Sequence, residues 1–208
     1  MKIAVLANNI SKEEFFSKKI PSTVEIIMVE SLSQFLVIKN ADAYFDLEFI
    51  MDDERIKQLS SFLPKPVFIN SVVNTLTEIN QPFIRINAWP TFLKRNICEI
   101  VVDENKKIIA KEVLDKLEWA FQFVPDVPGM ISARIIAMII NEAYYTFEDD
   151  VSTKKEIDIA MKLGTNYPFG PFEWSEKIGL KNIYNLLLQL SKTDSRYTIS
   201  KSLQKEIE

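Results

Sequence analysis

The sequence predicts an α/β domain with a mostly parallel, helix-covered sheet over residues 1–127, followed by an all-α domain over residues 128–208. Three observations predict it. Short apolar runs alternate with helix-period segments through the first part, the pattern of strands joined by covering helices. Residues 1–127 hold no glycine, and the four glycines of the chain fall at 129, 164, 170 and 179. The last third carries helix starts, helix stops and a long apolar helical stretch, with no strand pattern.

The elements follow in order. Lys2–Ala7 (KIAVLA) is a continuous apolar run, as a buried parallel strand requires. Ser11 and Glu14 form a capping-box pattern, so the first helix is placed there, with Glu13 and Glu14 in its first turn. Val24–Val29 is a second strand ending at Glu30, and Leu32–Ile38 a short helical stretch. Asp42–Phe49 is a third strand. Asp52–Phe62 has helical spacing through Ile56, Leu59 and Phe62. Pro66–Ile69, Phe83–Ala88 and Ile97–Val102 are three more strands. Lys107–Ala120 is a helix, and Phe121–Val124 a last strand before Asp126.

Strand, turn, helix, then an acid at the end of the second strand is the layout of a Rossmann fold. Its usual turn, G-x-G-x-x-G, lets backbone amides approach a pyrophosphate at a helix N-terminus. Here the turn reads Ala7-Asn8-Asn9-Ile10-Ser11, with side chains where glycines belong. Glu13 and Glu14 would complement the helix dipole and repel a phosphate. Asn8, Asn9 and Glu30 are thus remnants of cofactor-binding positions. Glu30, where a ribose-binding acid belongs, reads better as a solvated residue ending a strand.

In the helical part, Pro128-Gly129 opens a helix over Ile131–Phe147 that is apolar nearly all round. Such a helix is buried on all sides, either as the central core helix or against a second subunit. Arg134 and Glu142 are its polar points, with burial and pairing left open. Thr153 and Glu156 form a capping box, and Gly164 is read as the C-cap of that helix. Tyr167–Phe172 (YPFGPF) is a rigid aromatic turn. Phe172–Ile178 and Lys181–Leu190 are helices with Gly179 between them, and Arg196–Glu208 has a charged helical pattern.

Composition excludes several functions. There is no histidine among the 208 residues, which removes Ser-His-Asp and Cys-His chemistry and most transition-metal sites. The single cysteine, Cys98, excludes an internal disulfide and a cysteine-rich metal site. A net charge of −4 without a basic stripe argues against nucleic acid. No apolar run is long enough to span a bilayer. The start, MKIAVLANN, reads as a strand and not as a signal peptide. A cytoplasmic protein, with no membrane partner, is the default.

The arrangement PGMI…R…INEA…DIAMKLG…YPFGPFE…IGL, from Pro128 to about Leu190, resembles the 3-hydroxyacyl-CoA dehydrogenase family. The tail around Arg196-Tyr197 and Ser202-Leu203 is similar to the family's closing segment. Upstream, Ala41-Asp42, Asp53–Phe62 and Val67–Ile79 resemble its later Rossmann half, and Phe83–Val102 its catalytic strand–loop–strand. The stretch between the first strand and Asp42 is too short for the family's helical arm. The resemblance implies a trimmed Rossmann-like domain followed by a helical domain like the C-terminal domain of 6-phosphogluconate dehydrogenase.

The resemblance also implies a chemistry, hydride transfer between NAD and the 3-hydroxyl carbon of an acyl-CoA. The family's histidine base belongs near the start of Ile86-Asn87-Ala88-Trp89-Pro90, where this chain has Asn87 or Ile86. Its partner glutamate matches Glu99, read as an exposed strand residue without a catalytic partner. Its serine belongs within Asn70-Ser71-Val72-Val73, on a valine or, one residue shifted, on Ser71. Its asparagine matches Ala133. Loss of a general base alone costs about 10²–10⁴ in rate. The expectation is a non-catalytic relative: a homodimer built on the helical domain, with an interdomain cleft for an acyl-CoA, a nucleotide or a protein partner. NAD is implied by resemblance only; no cofactor and no metal are expected. Two readings stand beside it: an active NAD(P)-dependent oxidoreductase using a non-histidine base such as Tyr44, and a purely structural subunit.

Overall fold

A computed structural model describes residues 1–207. The chain forms two compact units, Met1–Met130 and Ile131–Glu208. The Gly129 N–H donates to Val72 O at 2.8 Å, which keeps residues 128–130 with the first unit.

The first unit is a seven-stranded sheet in the order β2-β1-β3-β4-β5-β6-β7. The strands are β1 (Lys2–Leu6), β2 (Glu25–Val29), β3 (Ala43–Asp46), β4 (Val67–Ile69), β5 (Ile84–Ile86), β6 (Ile97–Val101) and β7 (Ala120–Phe123). Every neighbouring pair is parallel except β5 with β6, which is antiparallel. Its helices are α1 (Asn9–Ser17), α2 (Leu32–Val37), α3 (Asp53–Ser60), α4 (Leu76–Ile79) and α5 (Lys107–Lys116). Strand order reverses beside β1, so β2 and β3 diverge on either side of it, and the crevice of a doubly wound sheet opens at that point.

The apolar strand runs are buried because both faces are covered. Side chains alternate across a strand, so Ile3 and Val5 join Phe45, Phe68, Phe15 and Trp119 on one face. Ala4 and Leu6 join Tyr44, Phe35, Leu59 and Phe62 on the other. Phe45 stacks on Phe68 at 4.2 Å and Tyr44 on Phe62 at 3.9 Å between centroids. Each such buried side chain contributes about 1.5–3 kcal/mol relative to exposure.

Several expectations are corrected here. Helix α1 starts at Asn9, not Ser11, because the Asn8 side chain caps it, accepting from the Ile10 and Ser11 amides. Glu13 and Glu14 therefore lie beyond its first turn. Helix α5 stops at Lys116 because Glu118 turns left-handed, φ 56°, and Ala120 already begins β7. Helix α4 was not foreseen; its Thr75–Glu78 capping box sits in only four residues of helix.

The second unit comprises α6 (Ser132–Glu148), α7 (Lys154–Thr165), α8 (Pro171–Ile178), α9 (Leu180–Ser191) and α10 (Lys201–Ile207). Helix α6 is not covered on all sides: Ile131 and Ile135, one turn apart, are 41% and 55% exposed. Its polar points differ from one another. Arg134 donates through Nε to the Tyr197 hydroxyl at 2.8 Å, while Glu142 is exposed. Asn141 ties α6 to the C-terminal segment, donating to Thr198 O at 2.8 Å and accepting from Ser200 N at 3.0 Å.

The Thr153–Glu156 capping box of α7 is present. Gly164, however, lies within α7, and the left-handed C-cap is Asn166, φ 57°; asparagine tolerates that conformation better than other side chains. The aromatic turn is locked by Asp158 of α7, which accepts from Phe172 N at 2.8 Å and Glu173 N at 3.2 Å. A Cβ on Gly170 would lie 2.2 Å from the Asp158 carboxylate.

These two glycines separate in their expected effects. Gly170→Ala lowers unfolding free energy by about 1–3 kcal/mol through overpacking. Gly164→Ala, with nothing within 4 Å of the new methyl, is neutral or raises stability by up to about 1 kcal/mol. Urea unfolding of the two variants measures both; a loss at Gly164→Ala equal to that at Gly170→Ala would contradict this assignment of the α7 cap.

Candidate functional site

The carboxyl ends of the parallel strands converge on the crevice beside β1, and the ladder hydrogen bonds carry past the strand ends. Ala7 N donates to Val29 O, Leu47 N to Leu6 O and Asn70 N to Asp46 O, at 2.9–3.1 Å. The backbone just beyond β1, β3 and β4 is thereby held in register.

Asp46, the last residue of β3, is fully buried. It receives Arg55 Nε at 2.8 Å and Arg55 Nη2 at 2.7 Å, and its Oδ1 accepts from the Glu48 amide at 3.1 Å. Burial raises its pKa against the pull of Arg55. The segment after β3 is fixed as a result, and the Glu48 side chain meets the start of α1. Glu48 Oε1 accepts from the Asn8 amide at 3.1 Å and from Ser11 Oγ at 2.6 Å, and Oε2 from Asn8 Nδ2 at 2.9 Å. Asn8 Oδ1 in turn accepts from Ile10 N and Ser11 N at 2.8 and 3.0 Å.

The Asn8, Ile10 and Ser11 donors at this turn are therefore engaged by this chain's own side chains. The turn does not fit NAD as a glycine-rich turn does: the Glu48 carboxylate accepts from Asn8 and Ser11 there, and Asn8 stands in place of a glycine. Glu30 is exposed, with its carboxylate 3.7 Å from Lys12 Nζ. Asn9 is exposed at the first position of α1. The acid against the start of α1 is thus Glu48, and not Glu14. Glu14 is buried instead, its Oε1 accepting from Thr91 N at 2.6 Å in the β5–β6 loop. Burial pushes its carboxyl up, with the Thr91 amide and Lys94 opposing.

Next along the edge, Asn70 bridges strand ends. Its Nδ2 donates to Leu47 O and Ala88 O at 3.1 and 3.2 Å, and its Oδ1 accepts from Ala88 N at 3.0 Å. Asn87 and Glu99 come together where β5 and β6 run antiparallel. Asn87 N donates to Glu99 O, and Asn87 Nδ2 to Glu99 Oε2, both at 3.2 Å. Both residues are buried, so Glu99 is not the exposed strand residue expected from the sequence. A carboxamide donates to a carboxylate but does not accept a proton near neutral pH. The pair has the geometry of an oriented side chain without the chemistry of a base.

Ser71 is spent on local structure: its hydroxyl donates to Asn74 O at 2.9 Å and its carbonyl accepts Arg85 Nε at 2.8 Å. Ala133 is fully buried in α6 of the second unit. Tyr44, considered as a substitute base, is a core residue, 1% exposed. Its hydroxyl donates to Ile38 O at 2.9 Å, and burial raises its pKa. Among the described residues no cluster of histidine, cysteine or acidic side chains suits a metal ion, and no helix is long and apolar enough to cross a membrane. The sequence reading missed Glu48. The available signal was an acid two residues past β3, facing the point where strand order reverses.

Comparison with known proteins bears on these assignments. Residues 129–208 match the model of the 3-hydroxyacyl-CoA dehydrogenase C-terminal domain. The 3-hydroxyadipyl-CoA dehydrogenase of Escherichia coli K12 is 43% identical over 76 residues, covering 36% of this chain and 16% of that protein. The match therefore spans about one sixth of that relative's length. The 3-hydroxybutyryl-CoA dehydrogenase of Bradyrhizobium diazoefficiens is 25% identical over 99% of this chain and 77% of its own length. The crystal structure of the (S)-3-hydroxybutyryl-CoA dehydrogenase of Ralstonia eutropha superimposes with a TM-score of 0.74 at 15% identity, covering 99% of this chain and 93% of that one. The mostly parallel sheet, the helical second unit, the matched C-terminal domain and these relatives together support the 3-hydroxyacyl-CoA dehydrogenase family, whose C-terminal domain residues 129–208 match.

Proposed function

We propose that this chain is a relative of the 3-hydroxyacyl-CoA dehydrogenases that has lost NAD-dependent catalysis and acts as a homodimeric ligand-binding or partner-binding protein. The observation that carries this reading is the Asn87–Glu99 pair. The family's chemistry, as the resemblance implies it, needs a base held by a glutamate. Here the glutamate holds a carboxamide, which takes no proton from a hydroxyl group. Ser71, turned into a local hydrogen bond, and Ala133, an apolar residue, add no substrate-oxygen ligand. A cytosolic setting accords with the lone buried thiol of Cys98, since cytosolic thiols stay reduced.

The homodimer rests on the second unit. Ile131 and Ile135 leave an uncovered apolar edge on α6. A groove of about 380 Å³, lined by Ile139, Ala143, Ile157, Ala160, Met161 and Pro171, adjoins it along α6 and α7. Contiguous apolar surface of this kind favours association, and a closed two-fold pairing through one self-complementary face is the commonest arrangement.

Two outcomes are expected. With acetoacetyl-CoA and NADH the purified protein gives no turnover above background; a kcat in the ordinary range of about 1–10³ s⁻¹ would falsify the loss of catalysis. In native mass spectrometry the protein runs as a dimer, and Ile135→Glu shifts it to monomer with an unchanged circular dichroism spectrum. A monomeric wild type, or a fully dimeric folded Ile135→Glu, removes the helical unit as the interface.

A further inference from the structure

The turn between β1 and α1 carries an inference that deepens the proposed loss of NAD use and rests on that reading, though on different residues. A Rossmann-type turn binds phosphate with free N–H donors at a helix start, where the helix dipole adds to the attraction. In this chain the donors of Asn8, Ile10 and Ser11 at that place are already paired within the protein. The Asn8 N–H, Asn8 Nδ2 and Ser11 Oγ all point to the Glu48 carboxylate. The Ile10 and Ser11 amides point to Asn8 Oδ1.

The Glu48 backbone is equally constrained. Its N–H bonds to Asp46 Oδ1, and Asp46 is held by two bonds from Arg55. Arg55 Nη2 also reaches the Glu48 carbonyl at 3.4 Å. A carboxylate fixed by its own backbone costs little entropy to hold against three donors. A diphosphate arriving from solvent must displace it and then meet its negative charge nearby.

We propose that Glu48 is a built-in anion that occupies the phosphate position of the turn and bars dinucleotides from it. The interaction is an autoinhibitory contact in the literal sense: the chain supplies the group that its own site would bind. It also narrows the ligands open to the protein. A molecule bound in the crevice beside β1 presents no phosphate to α1, so it is neutral or phosphate-free at that end.

Inorganic pyrophosphate is the probe, titrated by isothermal calorimetry and thermal shift into the full chain, with NADH as a second probe. The wild type shows no saturable binding at millimolar concentration. Glu48→Gln and Glu48→Ala both gain pyrophosphate affinity, by about tenfold or more, the scale set by removing a like charge and freeing charge-assisted donors. Asn8→Gly combined with Glu48→Ala gains more, because the Ile10 and Ser11 amides are freed as well. Circular dichroism and urea midpoints establish that each variant is folded, and Glu48→Gln preserves side-chain volume should Glu48→Ala fold poorly. Wild-type binding as tight as that of the variants overturns the proposal. So does a folded set of variants without any gain, or an equal gain from Glu30→Gln, which would assign the effect to net charge. Failure here leaves the turnover result untouched, whereas NADH-dependent turnover by the wild type overturns both readings, because the dinucleotide must then bind.

Discussion

The end of β3 governs the first unit. A carboxylate with no exposure is tolerated only if its oxygens are satisfied, and Asp46 achieves this with Arg55 from α3 and the amide of Glu48. Burial nevertheless raises its pKa, so desolvation outweighs the attraction of Arg55. The pair is therefore better understood as specifying geometry than as adding net stability. One carboxylate positions α3, the turn after β3 and the Glu48 side chain. Through Glu48 it also determines what the start of α1 can bind.

Polar ties of the same kind organise the second unit. Asp158 caps α8 across the turn that Gly170 leaves open. Asn141 and Glu148 of α6 hold the backbone at Ser200 and Ser202. Motif residues that resemble the family most closely, the asparagine of INEA, the aspartate of DIAMKLG and the glycine of YPFGPF, are thus occupied in holding helices together. Preserved motifs in this unit attest to architecture; they are silent on chemistry. The groups that carry chemistry lie at the carboxyl edge of the sheet, where the chain departs from the pattern.

What was legible in the sequence follows from the range of each interaction. Strand β1 is buried on both faces, so its continuous apolar run announced it. The Thr153–Glu156 box was legible because its donors and acceptors lie three residues apart. The start of α1 was misplaced because two caps competed locally, and Asn8, accepting two amides, outbid Ser11. The end of α5 was missed because a left-handed glutamate, Glu118, carries no propensity signal. The exposure of Ile131 and Ile135 was hidden because an apolar residue reads the same whether a partner covers it or not. Glu48 was invisible for another reason: it acts on a residue 40 positions away, and only the parallel pairing of β1 with β3 brings the two together.

Two departures from the family pattern now have a common logic. On the proposed reading, a side chain that takes no proton at the position the resemblance gives to the base, Asn87 or Ile86 beside it, would by itself leave a cofactor site that still rewards NAD binding. A lone carboxylate at position 48 leaves a catalytic pair with no cofactor to serve. On this reading each feature makes the other group dispensable, and neither disturbs the core. Asn87 still donates to Glu99, so the acid is not stranded, and Glu48 satisfies donors that a phosphate would otherwise take. Both side chains are tied into local hydrogen bonds, Asn87 to Glu99 and Glu48 to Asn8 and Ser11. On the proposed reading, the fold gives up a reaction without losing stability because hydrogen bonds open to a ligand are closed by side chains of the chain itself.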